Sequence, residues 1–146
     1  MALPRLASRQ LNRTCLVRRW ASSSSRALSS LNPVTEADLA HFSSILPESA
    51  ILSTLPPRSL SSDELAPYNV DWMGKYKGRA STVLRPRTTE EVSAIVKWCW
   101  ERRIAVVPQG GNTGLVGGSV PIDKELVISL GSMSKVRSFD PVTGQS

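Results

Sequence analysis

The stretch Pro108-Gln-Gly-Gly-Asn-Thr-Gly-Leu-Val-Gly-Gly-Ser-Val-Pro121 is the most informative part of this 146-residue chain. It holds five glycines within nine residues, at positions 110, 111, 114, 117 and 118, and it follows directly on the apolar run Ile104–Val107. Glycine permits positive φ and close backbone approach, so consecutive N–H groups can point into one concavity and hold an anion. The stretch therefore predicts a loop that cradles a diphosphate.

The donors expected in this loop are backbone N–H groups, supplemented by the side chains of Asn112, Thr113 and Ser119. Neutral donors suffice, because a hydrogen bond to a charged group contributes roughly 1.5–3 kcal/mol. The residues predicted to contact the diphosphate are Gln109, Gly110, Gly111, Asn112, Thr113, Gly114, Gly118 and Ser119.

The well-known phosphate loops do not fit this stretch. A Walker A loop needs Lys followed by Ser or Thr after its last glycine, whereas Ser119-Val120 follows Gly118. The Rossmann fingerprint needs Gly-x-Gly and then a helix, whereas Pro121 and the strand-like Leu126–Leu130 come next. A glycine loop that connects two strands would be a different kind of phosphate-binding loop. The alternative is a flexible hairpin loop that binds nothing.

The flanking segments indicate a βαβ unit. Ser81–Leu84 reads as a first strand, Thr88–Arg103 as a helix that opens with a capping box, and Ile104–Val107 as a second strand buried on both faces. A further strand is expected at Val136–Phe139. The glycine loop then lies just past the carboxyl end of the second strand, where ligands bind in α/β folds.

The upstream residues predict a helix capped by Thr35, with Leu39, Phe42 and Leu46 on one face. His41, the single histidine, is expected on the solvated surface of that helix. Residues 53–67 read as a loop with a short helical turn.

The two cysteines argue against a disulfide framework or a metal site. Cys15 lies near the amino terminus, and Cys99 lies on the apolar face of the predicted helix, where a free thiol behaves as a small hydrophobe.

The net charge of +6 comes from the amino terminus. Residues 1–30 hold six arginines and no acid, and the remaining residues hold twelve basic and twelve acidic side chains. Nucleic-acid binding is therefore not expected, because it needs clustered basic residues on the folded part. The Arg- and Ser-rich, acid-free composition of residues 1–30 is typical of an organellar transit peptide, with a disordered basic tail as the alternative. No transmembrane span is expected.

Several motifs in one order resemble a known family. They are Asp71-Trp-Met-Gly-Lys-Tyr-Lys-Gly78, Leu84-Arg-Pro86, the helix Thr88–Arg103, the glycine loop, and Ser138-Phe-Asp-Pro-Val-Thr-Gly144. This order resembles the start of the D-2-hydroxyglutarate and D-lactate dehydrogenases, FAD-linked oxidases with the vanillyl-alcohol-oxidase type of FAD domain. The resemblance covers about residues 68–146 and implies an α+β fold, the amino-terminal part of such a domain.

The resemblance implies an oxidoreductase in which flavin N5 takes a hydride from C2 of a D-2-hydroxy acid and an electron acceptor protein reoxidises the flavin. D-2-hydroxyglutarate is the first substrate expected and D-lactate the alternative. Family members that attach flavin covalently through this loop use a histidine there, whereas this chain has Asn112-Thr113, so FAD is expected to be non-covalent. The leader then implies the mitochondrial matrix.

The resemblance also implies a division of the chain. Residues 1–30 are expected to be the transit peptide, 31–70 a helical lead-in, and 71–146 a partial FAD-binding domain. The resembled enzymes continue well beyond this point, so the chain is expected to be truncated, and no catalytic or metal-binding residue is assigned within it. A catalytically inert fragment is the rival interpretation.

Overall fold

A computed structural model describes residues 31–135 and residue 142. The predicted transit peptide and the predicted strand Val136–Phe139 lie outside the described residues. The described helices and strands, in chain order, are α1 (Glu36–Ile45), β1 (Ile51–Ser53), α2 (Ser62–Asn69), β2 (Thr82–Leu84), α3 (Thr89–Arg102), β3 (Val106–Gln109) and β4 (Leu126–Ser129), with short 3-10 turns at Glu48–Ala50 and Leu130–Ser132.

The strands form one mixed sheet in the order β1-β2-β4-β3. Strand β1 is antiparallel to β2, whereas β2 and β3 both run parallel to β4. The predicted βαβ unit is therefore present as β2-α3-β3, with β4 inserted between its two strands. This mixed α+β architecture is the one that the sequence predicts.

The prediction for the second strand of that unit needs correction. Strand β3 begins at Val106, and Ile104 instead forms an isolated parallel bridge with Asn32. Because β3 is the edge strand of the described sheet, Val106 and Val107 are only half-buried, and the strand is not buried on both faces as expected.

The sheet packs helices on both faces. Side chains alternate along a strand, so Ile51, Leu84 and Ile128 join the larger core with α1 and α3. Val83 and Val127 join the smaller cluster around Leu65 of α2. Helix α2 therefore packs on the face of the sheet opposite to α1 and α3.

Helix α3 follows its sequence signals closely. The Glu91 backbone N–H donates to Thr88 Oγ1 at 3.2 Å, and the Glu91 carboxylate accepts from the Thr88 N–H at 3.4 Å, which confirms the capping box. The helix ends where Arg103 turns left-handed at φ 55°. Cys99 is buried as predicted, and burial, helped by the negative charge of Asp38, raises the pKa of its thiol to about 12.

Helix α1 is tied to α3 through a buried carboxylate. Asp38 Oδ1 accepts from Trp98 Nε1 and from Arg102 Nε, both at 3.0 Å, and Asp38 Oδ2 accepts from the Thr35 hydroxyl at 2.6 Å. Burial alone would raise the pKa of Asp38, but the hydrogen bonds from Thr35, Arg102 and Trp98 outweigh it and leave the pKa below 3.8. His41 is not a solvated residue, since its ring stacks on Trp98 with centroids 3.7 Å apart.

Residues 53–67 are more ordered than expected. They contain the end of β1 and most of α2, which begins with a capping box between Ser61 and Glu64. Within residues 31–135, no helix is long and apolar enough to cross a membrane.

Candidate cofactor site

The glycine loop leaves the carboxyl end of β3 and returns toward β4. It starts after Gln109, whose side chain is buried, with only 3% of its surface exposed. Along β3 the side chains alternate, so Gln109 points to the same face of the sheet as α2. The Gln109 amide donates to the Tyr68 carbonyl of α2 at 3.0 Å, which locates the start of the loop over the end of that helix.

Four glycines of the loop border open space. A Cβ added to Gly110, Gly114 or Gly118 would meet no atom within 4 Å, and one added to Gly111 would meet only the Thr113 methyl group, at 3.9 Å. All four residues are exposed. A ligand can therefore approach the backbone here to a distance that a side chain would prevent. The residues present fit a diphosphate held by backbone N–H groups.

Of the two properties of glycine, positive φ and close approach, the four open glycines show only the second. Within the loop only Asn112, at φ 53°, and Gly117, at φ 71°, are left-handed. At the four open positions, glycine is therefore explained by the space that the missing side chain leaves for a ligand. Gly117 is the glycine whose backbone itself needs the freedom.

Two of the three side chains expected as extra donors, Asn112 and Ser119, are hydrogen-bonded within the protein. Asn112 Nδ2 donates to the carbonyls of Val70, at 2.7 Å, and Pro67, at 3.3 Å. The Ser119 hydroxyl donates to Asn112 Oδ1 at 2.8 Å. Gln109 Nε2 also reaches the Ser119 carbonyl, at 2.9 Å. Thr113 is exposed. The assignment of all eight loop residues to cofactor binding stays a prediction, and it depends mainly on their backbones.

A second segment, Asp71–Gly78, supports the loop from the side. The Tyr76 ring lies against Gly117, where a Cβ would come within 2.7 Å of it. Asp71, only 4% exposed, accepts a 2.7 Å hydrogen bond from the Tyr76 N–H and so fixes the turn. A Cβ at Gly78 would collide with the Pro121 carbonyl oxygen. The resemblance indicated that this segment leads into the domain, but no sequence signal paired it with the loop.

The loop itself carries no charged side chain between Pro108 and Pro121. Beside it, Lys75 Nζ lies 5.5 Å from the centre of the Tyr76 ring, and Arg79 is paired with Asp123 at 2.7 Å. An anion here would be held mainly by oriented backbone dipoles. Among the described residues, no group of three or more His, Cys, Asp or Glu side chains could hold a metal ion.

Comparison with known proteins gives this loop a family context. The family model described as "FAD binding domain" matches residues 80–145, which include β2, α3, β3, the glycine loop and β4. The cofactor of this domain is therefore FAD.

Curated relatives point to one group of enzymes. The chain is 52% identical over 107 residues to a D-2-hydroxyglutarate–pyruvate transhydrogenase of Saccharomyces cerevisiae, covering 73% of this chain and 21% of that protein. It is 44% identical over 126 residues to a mitochondrial D-2-hydroxyglutarate dehydrogenase of Arabidopsis thaliana (84% and 21% covered). It is also 44% identical over 111 residues to a putative mitochondrial D-lactate dehydrogenase of Schizosaccharomyces pombe (76% and 21%). The chain spans about a fifth of the length of these relatives.

Solved structures share the fold. A structure of alkyldihydroxyacetonephosphate synthase matches with a TM-score of 0.61 at 15% identity, covering 76% of this chain and 21% of that one. A structure of p-cresol methylhydroxylase matches with a TM-score of 0.56 at 24% identity, covering 74% and 21%. Both are vanillyl-alcohol-oxidase-type FAD-binding proteins, which confirms the predicted fold class. The chain therefore contains an FAD binding domain and is related, at 44–52% identity over most of its length, to D-2-hydroxyglutarate and D-lactate dehydrogenases.

Proposed function

We propose that this chain is the part of an FAD-dependent D-2-hydroxy-acid dehydrogenase that holds the FAD diphosphate. The observation that carries the proposal is the open space over Gly110, Gly111, Gly114 and Gly118, in a loop whose Asn112 and Ser119 side chains are hydrogen-bonded to the protein. The family match and the names of the relatives support the reaction class. Because the chain spans about a fifth of those relatives, the activity belongs to the whole enzyme.

The diphosphate would be held by the backbone N–H groups of Gly110 to Gly114, Gly118 and Ser119. The chemistry that FAD supplies when bound is acceptance, at N5 of the flavin ring, of the hydride from C2 of the hydroxy acid. The role of this chain is to bind and orient the cofactor through its diphosphate. Because Asn112-Thr113 take the place of a linking histidine, we propose that FAD is bound without a covalent bond.

The proposal extends to the organisation and location of the protein. Residues 1–30 would be a transit peptide, 31–70 a lead-in and 71–146 part of the FAD-binding domain, although β1 of the lead-in already pairs with β2. Relatives named as mitochondrial support a mitochondrial location, and the basic leader favours the matrix. The remaining partner would be an electron acceptor protein.

The substrate proposed is D-2-hydroxyglutarate, which would leave as the 2-oxo acid. D-lactate is the second candidate, because a relative at 44% identity is named a putative D-lactate dehydrogenase. The test is reduction of an artificial electron-accepting dye by the full-length flavoprotein, with D-2-hydroxyglutarate, D-lactate and both L-enantiomers at equal concentrations. We expect the highest kcat/KM for D-2-hydroxyglutarate and none for the L-acids. Turnover of D-lactate alone would select the second candidate, and turnover of no hydroxy acid would contradict the proposal.

A further inference from the structure

Gln109, at the end of β3, and Asn112, in the glycine loop, donate hydrogen bonds to the carboxyl end of α2, and Ser119 in turn holds Asn112. These three side chains together form a clamp. Asn112 Nδ2 donates to the Val70 carbonyl at 2.7 Å, and Gln109 Nε2 donates to the Tyr68 carbonyl at 3.0 Å. A loop that is rich in glycine is thereby fastened to a helix at two points.

The end of α2 needs these donors. The last carbonyls of a helix have no partner within the helix, and here the C-cap Val70 is extended. The Asn112 amide donates to the carbonyls of Pro67 and Val70, and the Gln109 amide donates to the Tyr68 carbonyl. The Gly78 backbone N–H donates to the Asn69 carbonyl at 2.7 Å. The helix end is therefore capped from outside, mostly by the clamp. Its carbonyl oxygens, which carry the negative end of the helix dipole, face amide N–H groups.

The clamp also closes the loop on itself. The Ser119 hydroxyl donates to Asn112 Oδ1 at 2.8 Å, and the Gln109 amide donates to the Ser119 carbonyl at 2.9 Å. Asn112 has φ 53°, a left-handed conformation in which asparagine is several-fold enriched among residues with a side chain. Position 112 thus requires both the conformation and the amide.

We propose that Asn112, with Gln109 and Ser119, is a positioning residue for the cofactor. Its amide acts through the backbone, by holding the N–H groups of Gly110 to Gly114 in one arrangement before the ligand arrives. Glycine loses more conformational freedom on ordering than any other residue, so an unclamped loop would have to be ordered by the ligand itself. This inference rests on the proposed function, because it assumes that the loop binds FAD.

The test compares variants of the full-length protein after removal of flavin. Asn112→Gly keeps access to the left-handed region and removes the amide. Asn112→Asp keeps the shape but faces the Val70 and Pro67 carbonyls with a carboxylate. Ser53→Ala is the matched control: it removes a buried hydroxyl that bonds Thr82 and Ser81 across β1 and β2, away from the loop. FAD affinity is measured by quenching of flavin fluorescence, and loop order by hydrogen exchange of the flavin-free protein.

We expect Asn112→Gly to weaken FAD binding about tenfold or more and to speed exchange over residues 109–119 before FAD is added. Asn112→Asp should bind still more weakly at pH 8 and regain affinity as the pH falls through the pKa of the new carboxyl, because the protonated carboxyl can donate again; the facing carbonyls disfavour the charged form and raise that pKa above its ordinary value of about 3.9. Asn112→Gly should show no such pH-dependent recovery. Ser53→Ala should lower the melting temperature and leave FAD affinity within about twofold.

If Asn112→Gly has unchanged FAD affinity, or unchanged hydrogen exchange over the loop, the proposal that Asn112 positions the loop is overturned. If Asn112→Gly does not fold, Ser119→Ala decides. It removes only the hydroxyl that ties Asn112, and we expect roughly threefold weaker FAD binding, whereas unchanged binding overturns the proposal. Failure of the wild-type protein to bind FAD would instead refute the proposed function itself, before any variant is compared.

Discussion

The ring of Tyr76 lies so close to the backbone of Gly117 that a Cβ at residue 117 would come within 2.7 Å of the ring. Gly117 is also left-handed, at φ 71°. The glycines of the loop therefore fall into two kinds. Gly117 is needed by the fold, whereas Gly110, Gly111, Gly114 and Gly118 border open space.

This distinction predicts that Gly117→Val damages the fold. A β-branched residue is strained at positive φ and would push Tyr76 away, so we expect the free energy of unfolding of the flavin-free protein to fall by at least about 2 kcal/mol. Gly114→Val, with no atom in the way, should change it by less than about 0.5 kcal/mol. Urea denaturation of both variants measures the difference. Equal losses would contradict the division of the glycines.

The parts of the fold that depend on local signals were predictable from the sequence. The Thr88 and Glu91 capping box marks the start of α3, and the spacing of Ile95 and Cys99 marks its buried face. The half-buried state of β3 was not predictable, because it depends on β4 entering the sheet between β2 and β3. Stacking of His41 on Trp98 was missed for a similar reason, since the two residues are far apart in the chain.

The candidate site divides in the same way. The spacing of the glycines predicts where a ligand can reach the backbone. In the structure, open space borders the backbone at Gly110, Gly111, Gly114 and Gly118. The partners of the loop came from elsewhere in the chain. Tyr76 and the end of α2 are tertiary neighbours. The sequence predicts no more than a loop with a short helical turn over residues 53–67, because Pro67 and several serines weaken the helical pattern of α2. The Ser61 and Glu64 capping box was the one signal that could have revealed it.

The buried carboxylate of Asp38 predicts acid sensitivity. The pKa of Asp38 is lower in the folded protein than its ordinary value of 3.8. The ionised carboxylate therefore stabilises the fold fully above pH 3.8, and this contribution is lost as the pH falls from 3.8 through the folded-state pKa. Asp38→Ala leaves the Trp98 indole and the partly exposed Arg102 without their acceptor, and we expect a loss of roughly 2 kcal/mol at pH 7. The wild-type protein should approach the variant in stability as the pH falls below 3.8.

Denaturation curves of both proteins from pH 7 to pH 3 provide the measurement. Ser93→Ala in α3 is a control on the exposed surface. If the difference in stability between the wild type and Asp38→Ala stays constant at acid pH, the ionised carboxylate is not the source of that difference.

Non-covalent attachment predicts that the flavin leaves on denaturation. The motivation is that residues 100–146 contain neither histidine nor cysteine. After acid precipitation of the full-length flavoprotein, the yellow colour should stay in the supernatant and have the mass of unmodified FAD. Colour in the pellet would reveal a covalent bond and would count against this part of the account.

The basic leader predicts a processed protein. Arg18-Arg19-Trp20-Ala21 places an arginine three residues before Ala21 and an aromatic residue just before the expected cut, after Trp20. Mass determination of the amino-terminal peptide from protein isolated from mitochondria should find Ala21 first. Arg18→Ala together with Arg19→Ala should block or shift the cleavage. An amino terminus at Met1 or Ala2 in the isolated protein would contradict removal of the leader.

The central claim, that FAD binds over the open glycines, is tested most directly by Gly110→Val in the full-length protein. A Cβ at residue 110 would meet no atom within 4 Å, and the valine side chain would occupy the proposed diphosphate space. Ser93→Val, on the exposed surface of α3, is the control. Isothermal titration of each flavin-free protein with FAD is the measurement. We predict that Ser93→Val binds FAD like the wild type and that Gly110→Val remains folded but binds at least about a hundredfold more weakly, a loss of about 2.7 kcal/mol. A folded Gly110→Val with wild-type affinity would contradict the account.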